Sequence, residues 1–375
     1  MNPKPQILLI TNVPVPYRYQ LYHSFCNSGD FDGRILFDSL SYGETWSSQL
    51  GDGVRYSVLG GQSVSTETGR MPIHLNLLRQ LFKRSPDVVV LSDFSPLFIV
   101  QTFLYLMLSS KSVRLVSMTD ENRDFFNKLN YRWIRLLFRK FVLSRSTACI
   151  CCSESSKRHI EGISGRMKGR TYVSYLTPEA SYYEASAPPA TSGGVIELLT
   201  VCRLVDLKRV DRVIRAARML KDNGTSREWR LTIVGDGPER AKLQRLADSL
   251  GLQSHVVFLG RLVGEEIQQA YRKADIFMLT SHKEPWGVVV HEAMLNGLAP
   301  IVTRAVGASE MVSGAGGVVV DDRLDEPSLV CEIAGAMEAL IDNPSRLREI
   351  REQCREYARQ ITIEREVDSY LAAVK

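Results

Sequence analysis

The chain has 375 residues, too many for one ordinary hydrophobic core and enough for two. With 44% hydrophobic and 24% charged residues it has the balance of a water-facing globular protein, which excludes disordered, fibrous and bundled membrane classes. The net charge of +5 is unevenly placed: residues 1–186 carry 22 Lys and Arg against 15 Asp and Glu, whereas residues 187–375 carry 25 against 27.

That imbalance points to an anionic partner for the first half only, or to a solvated mixed surface. No signal peptide is expected, because residues 3–6 lead directly into a short apolar strand. Seven cysteines without framework spacing suit reduced thiols and a cytoplasmic setting. Cys149, Cys151 and Cys152 lie together but lack a second ligand pair, so they read as a buried strand.

In chain order, residues 7–11, 33–37, 88–92, 113–117 and 148–152 read as buried strands, with helices at 73–84 and 122–145. The longest apolar run, 97–108, contains Gln101 and falls short of the roughly 20 residues a bilayer requires. Residues 181–194 read as an interdomain linker. The alternation then restarts, with strands at 197–202, 231–234, 256–259, 276–280, 300–303 and 317–320. Helices are expected at 209–221 and 239–250, the second closed by Gly251, and two more at 344–375. The expected fold class is α/β, with two doubly wound Rossmann-like domains: 1–186, 187–355, and a helix at 356–375 returning to the first.

Ligands of open α/β sheets bind beyond the carboxyl ends of the strands, and the second half places its polar residues there. Arg203 directly follows a strand and Lys208 lies five residues on, a spacing suited to a diphosphate clamp or to an ordinary solvated loop. Gly235-Asp236-Gly237-Pro238 is a tight turn, with Pro238 suited to a first helical position. Structure alone could explain it, and ligand contact is the other reading. Glu284 sits in a loop, and Gly287 opens a helix whose leading amides belong to Val288 and Val289, a favourable end for a diphosphate. Glu292 lies roughly 7 Å along that helix at 1.5 Å per residue, where a carboxylate can accept from ribose hydroxyls.

Five motifs occur in order: Arg-Leu-Val-x-x-Lys at 203–208, Gly-Asp-Gly-Pro at 235–238, Phe-Leu-Gly at 258–260, Ala-Asp-Ile-Phe-Met-Leu-Thr-Ser at 274–281, and the pair Glu284 and Glu292. Together they resemble the retaining glycosyltransferases of family 4, over most of residues 195–360. The resemblance implies a GT-B fold, with the two domains facing a cleft, and a nucleoside-diphosphate sugar donor, UDP- or GDP-linked. It implies that Arg203 and Lys208 bind the diphosphate and stabilise it as it leaves. It further implies that Glu284 contacts the donor sugar and Glu292 holds the ribose. The acceptor it implies is a glycan or lipid-linked sugar of a surface polysaccharide or glycolipid, with no metal, no other cofactor and no nucleic-acid partner.

The first half matches less closely. Where many members have a Gly-Gly loop, this chain has Pro14-Val15-Pro16-Tyr17-Arg18, similar to a subset with a Pro-rich first loop, so Tyr17 and Arg18 are acceptor-side candidates. Many relatives carry a histidine where this chain reads Thr119-Asp120-Glu121-Asn122. Asp120 and Glu121 are the remaining acceptor-side candidates, or simply acids at a helix start. Asp30-Phe31-Asp32 matches the metal-transferase pattern Asp-x-Asp but falls in a turn and reads as structural.

The segment from Arg123 to Arg145 has seven basic residues against one acid, with Arg132, Arg135 and Arg139 at helical spacing and Trp133, Leu136, Leu137 and Phe141 apolar. It fits an interfacial helix on an anionic membrane surface or a sheet-covering helix with a charged back. A nicotinamide oxidoreductase is disfavoured because no Gly-x-Gly-x-x-Gly follows Ile10 or Cys202. A sugar-nucleotide 2-epimerase and a catalytically silent nucleotide-sugar-binding subunit share the architecture and stay open.

Overall fold

Ile7 and Leu9 on the first strand face one side of a sheet and Leu8 and Ile10 the other, and all four are buried. A strand covered on both faces needs this continuous apolar run, since its side chains alternate between faces. The computed structural model describes residues 3–39, 50–59, 62–66, 69–73, 76–92, 96–120, 132–184 and 194–375. They form two units, 1–179 with 362–375, and 180–361.

In the first unit, β1 (Gln6–Thr11), α1 (Tyr19–Cys26), β2 (Asp32–Phe37) and β3 (Tyr56–Val58) precede a hairpin of β4 (Gln62–Thr66) and β5 (Gly69–Ile73). Next come α2 (Leu77–Arg84), β6 (Val88–Ser92), α3 (Pro96–Leu108), β7 (Arg114–Thr119), α4 (Arg132–Arg145) and β8 (Ala148–Cys151). The unit continues with α5 (Glu154–Ile163) and β9 (Thr171–Val173), and the last helix of the chain, Ile363–Val374, packs against α1, β8 and β9. Seven parallel strands run β3-β2-β1-β6-β7-β8-β9, so the order reverses between β1 and β6.

The second unit contains α6 (Ala180–Tyr183), β10 (Ile196–Val201), α7 (Val210–Asn223), β11 (Trp229–Val234), α8 (Arg240–Ser249) and β12 (Val256–Gly260). It continues with α9 (Glu265–Lys273), β13 (Ile276–Leu279), α10 (Val288–Leu295), β14 (Ala299–Thr303) and α11 (Ser309–Gly314). After β15 (Val318–Val320) come α12 (Glu326–Ile341), α13 (Pro344–Arg359) and the final α14 (Ile363–Val374), which belongs to the first unit. Its sheet is parallel in the order β12-β11-β10-β13-β14-β15, with the reversal between β10 and β13. Two doubly wound parallel sheets are the α/β class expected from the sequence.

Several local expectations are corrected. Residues 69–73 form a strand paired with β4, and the helix expected from 73 starts at Leu77. Pro72 lacks an amide hydrogen and disfavours helical geometry before it. The helix expected at 122–145 is described as Arg132–Arg145, and 121–131 lie outside the described residues. Of the expected linker, the start is helical and docked: Tyr182 stacks edge-on with Tyr271, ring centroids 5.9 Å apart, and the Tyr183 hydroxyl donates to Ile361 O at 2.7 Å. Residues 185–193 lie outside the described residues.

Candidate functional site

Four loops meet at the carboxyl ends of β10, β11, β13 and β14. Leu204 N donates to Asp236 O at 2.9 Å and Glu239 N to Leu204 O at 3.0 Å, joining the loop after β10 to the turn after β11. His282 N donates to Leu207 O at 2.9 Å, joining the same loop to that after β13. Gly307 N reaches Glu284 O at 3.0 Å, which ties in the loop after β14. Strand order reversal makes β10 and β13 neighbours whose connections leave in opposite directions, and that opens a crevice at their carboxyl ends.

Lys208 and Glu284 form an ion pair across this reversal, both side chains largely buried. Lys208 lies in a single 3₁₀ turn, Asp206–Lys208, two residues ahead of α7 and not in the helix itself. Arg203 is exposed and makes no ion pair with the described residues. The turn is braced from a distance. Arg212 donates to Thr280 O at 3.0 Å and to Glu326 at 2.7 and 2.9 Å, while Arg209 reaches the same carboxylate at 2.6 Å. Thr280 Oγ1 donates back to Arg209 O at 3.0 Å. Glu326 opens α12, 117 residues from Arg209, so no local pattern announces this clamp.

Gly287 has φ of +94°, the left-handed region that favours glycine, and caps α10. The chain thereby turns from the Glu284 loop into a helix whose first amides, on Val288 and Val289, have no acceptor within that helix. One turn on, Glu292 Oε2 accepts from the Tyr271 hydroxyl at 2.7 Å. Tyr271 lies on α9, fully buried, and burial followed by the Glu292 charge holds its phenol protonated well above the ordinary range. The adjacent His291 is a packing residue: its Nε2 donates to Ala358 O at 3.0 Å, and burial pulls its pKa down to about 4.

The Gly-Asp-Gly-Pro turn has a structural account. A Cβ on Gly235, where φ is +133°, would lie 1.8 Å from Cys202 O, so the close approach of the two loops requires glycine there. The Asp236 carboxylate is exposed, accepting from Gly237 N at 2.7 Å and from Arg240 at 2.9 Å. Pro238 precedes the helix without opening it: α8 starts at Arg240, and the Glu239 amide is given to Leu204.

On the first unit, Tyr17 and Arg18 lie in a 3₁₀ turn after β1 and Asp120 just after β7. Arg18 is buried, 3.6 Å from Asp120, and donates to Met118 Sδ at 3.7 Å. Burial pushes the Tyr17 phenol well above its ordinary range. The same cluster contains Glu366 from α14, which accepts from Thr177 N at 3.1 Å and from the Thr177 hydroxyl. Sequence reading missed Glu366, because an acid on an amphipathic helix reads as solvated. Glu121 lies outside the described residues. The Asp-x-Asp carboxylates are occupied by cations: Asp30 with Lys375 at 2.6 Å, Asp32 with Arg55 at 3.2 Å and Arg34 at 3.3 Å. Among the described residues no helix is long and apolar enough to cross a membrane.

The chain is 30% identical over 190 residues to a D-inositol 3-phosphate glycosyltransferase of Rhodococcus erythropolis, a match over 48% of this chain and 41% of that protein. Such matches span about half or less of the length of the curated relatives. The fold is similar to that of Anabaena Alr3699/HepE, solved in complex with UDP, with a TM-score of 0.74 at 18% identity over 98% of both chains. It is also similar to that of the lipopolysaccharide outer core galactosyltransferase WaaB, with a TM-score of 0.72 at 18% identity over 98% of this chain and 99% of that one. Residues 184–361, which include every residue expected from the sequence to bind a sugar-nucleotide donor, match the family model of the glycosyl transferases group 1.

Proposed function

We propose that the chain is a retaining glycosyltransferase, moving a sugar from a UDP- or GDP-linked donor onto a glycan or lipid-linked acceptor of a surface polysaccharide or glycolipid. The observation that carries this reading is the Lys208–Glu284 pair at the strand-order reversal, beside the amino end of α10. A diphosphate there meets Arg203, Lys208 and the leading amides of Val288 and Val289, while Glu292, held by Tyr271, accepts from the ribose. Glu284 then exchanges its bond to Lys208 for the hydroxyls of the donor sugar.

In this reading the bond from the anomeric carbon to the diphosphate oxygen breaks as the acceptor hydroxyl bonds to the same face. The leaving phosphate oxygen takes the acceptor's proton, so the site must stabilise growing negative charge on the diphosphate more than supply a base. Arg203 and Lys208 fill that role without a metal ion. Arg18, Asp120 and Tyr17 are assigned to the acceptor side as a packed cluster that shapes the first unit's loops.

The test combines thermal-shift screening of nucleotide sugars with turnover. Stabilisation by a UDP- or GDP-sugar, nucleotide release only with acceptor present, and retained anomeric configuration by NMR are expected. Nucleotide release or sugar isomerisation without acceptor would instead identify a 2-epimerase.

A further inference from the structure

The first unit wears two of its helices with the apolar side outward. On α4, Arg139 points inward at 3% exposure, its Nη1 reaching Arg135 O at 3.3 Å, and Val142 and Leu143 are buried beside it. Outward instead are Trp133 at 67% exposure, Leu137 at 59% and Phe141. A helix that covers a sheet and faces water carries mainly polar residues outward, whereas the outward side of α4 mixes these apolar side chains with Lys140 and Arg145. Neighbouring α3 has no charged residue; Phe98 and Ile99 are in the core, while Val100, Leu104 and Met107, the last 77% exposed, look out.

Between the helices lies an open groove of about 540 Å³, walled by Val100, Leu104 and Met107 on one side and Leu137, Phe138 and Phe141 on the other. The Phe103 and Phe141 rings, 4.7 Å apart, join the two walls. Contiguous apolar surface of this kind marks a binding face. Its rim selects the occupant. Within Arg132–Arg145 there are five Lys and Arg and no acid, with Lys140 and Arg145 exposed and the Arg145 guanidinium 5.9 Å from the Phe141 ring centre. A second copy docked symmetrically would bring two such cationic helices together, which like-charge repulsion opposes.

We propose that the α3–α4 face docks on an anionic phospholipid leaflet, its apolar side chains entering the acyl boundary and its cations meeting the headgroups. Aromatic and aliphatic anchors beside the exposed Lys140 and Arg145 fit that interface. The 13 residues of α3 extend roughly 20 Å, too short to span, so the helix lies in the plane of the leaflet. Binding is read without donor or turnover, so this proposal stands or falls apart from the transfer reading.

The experiment is flotation of the full chain with phosphatidylcholine vesicles and with equal-part phosphatidylcholine–phosphatidylglycerol vesicles. The chain is expected to rise with the anionic vesicles only, and less at high salt. Met107→Glu with Leu137→Glu should lower the bound fraction about tenfold or more while the melting temperature holds. Trp133→Glu, a more conservative disturbance of an exposed site, should lower it in the same direction if the double variant folds poorly. Wild-type protein staying at the bottom with anionic vesicles, or variants floating as well as wild type, would overturn the proposal. So would a dimer in sedimentation that the same substitutions dissociate, since the face would then belong to a second copy.

Discussion

The hydroxyl of Tyr271 holds the carboxylate of Glu292 at 2.7 Å, linking a buried residue of α9 to the second carboxylate of the pair proposed to hold the donor. Tyr271→Phe removes only that donor. Hydrogen bonds to charged groups contribute roughly 1.5–3 kcal/mol, so donor KM is expected to rise about tenfold or more with kcat within about twofold. Steady-state kinetics at saturating acceptor checks this; an unchanged KM would separate Tyr271 from donor binding.

Lys208→Met leaves Glu284 without its cation and, in the proposed site, the diphosphate without one of its two. Transfer should fall by about two orders of magnitude or more, in line with loss of one charge-stabilising donor. The exposed position of Arg203 makes Arg203→Ala a milder change in stability than Lys208→Met, but one that also lowers kcat. Activity at saturating donor, set beside thermal melts, distinguishes lost chemistry from lost folding.

Gly235→Ala places a methyl group against Cys202 O in a backbone conformation that alanine disfavours. We expect about 2 kcal/mol or more of destabilisation. Because the loop carrying Arg203 must move to make room, donor binding should weaken as well. Urea denaturation and nucleotide titration of the variant provide the two readings.

Glu366 confers a pH dependence. Burial, opposed by Arg18 and the Thr177 hydrogen bonds, pushes its carboxyl from the ordinary 4.5 up to about 7, with Asp120 raising it further and Tyr22 and Tyr370 alongside. A raised folded pKa means the native state holds the proton longer than the unfolded chain. Stability from this group is therefore complete below about pH 4.5 and lost as pH rises through 7. The span is worth up to about 3 kcal/mol. Glu366→Gln, which keeps an acceptor for Thr177, should flatten the decline in melting temperature between pH 5 and 8 and raise stability at pH 8.

The Arg203-to-Lys208 loop, the Gly287 helix start and Glu292 were legible in the sequence because each depends on neighbours within a few residues. Spacing along one chain segment sets where a strand ends and which amides open a helix. Tyr271, Arg212 and Glu326 were not, since each acts on a partner 21 to 117 residues away. Periodicity also located the apolar and basic stripes of α4 without telling which one faces the sheet, and Arg139 took the inner position.

From the order of its apolar runs alone, the chain was bound to form two parallel sheets, because strands covered on both faces admit few other side chains. What only tertiary structure decided was the meeting of residues at the β10–β13 reversal, the burial of Glu366 on the inner side of the returning helix, and the outward turn of the α3 and α4 apolar faces. Local sequence sets backbone direction and periodicity. Burial and charge pairing depend on which distant segments come to rest against each other, and that is a property of the folded chain.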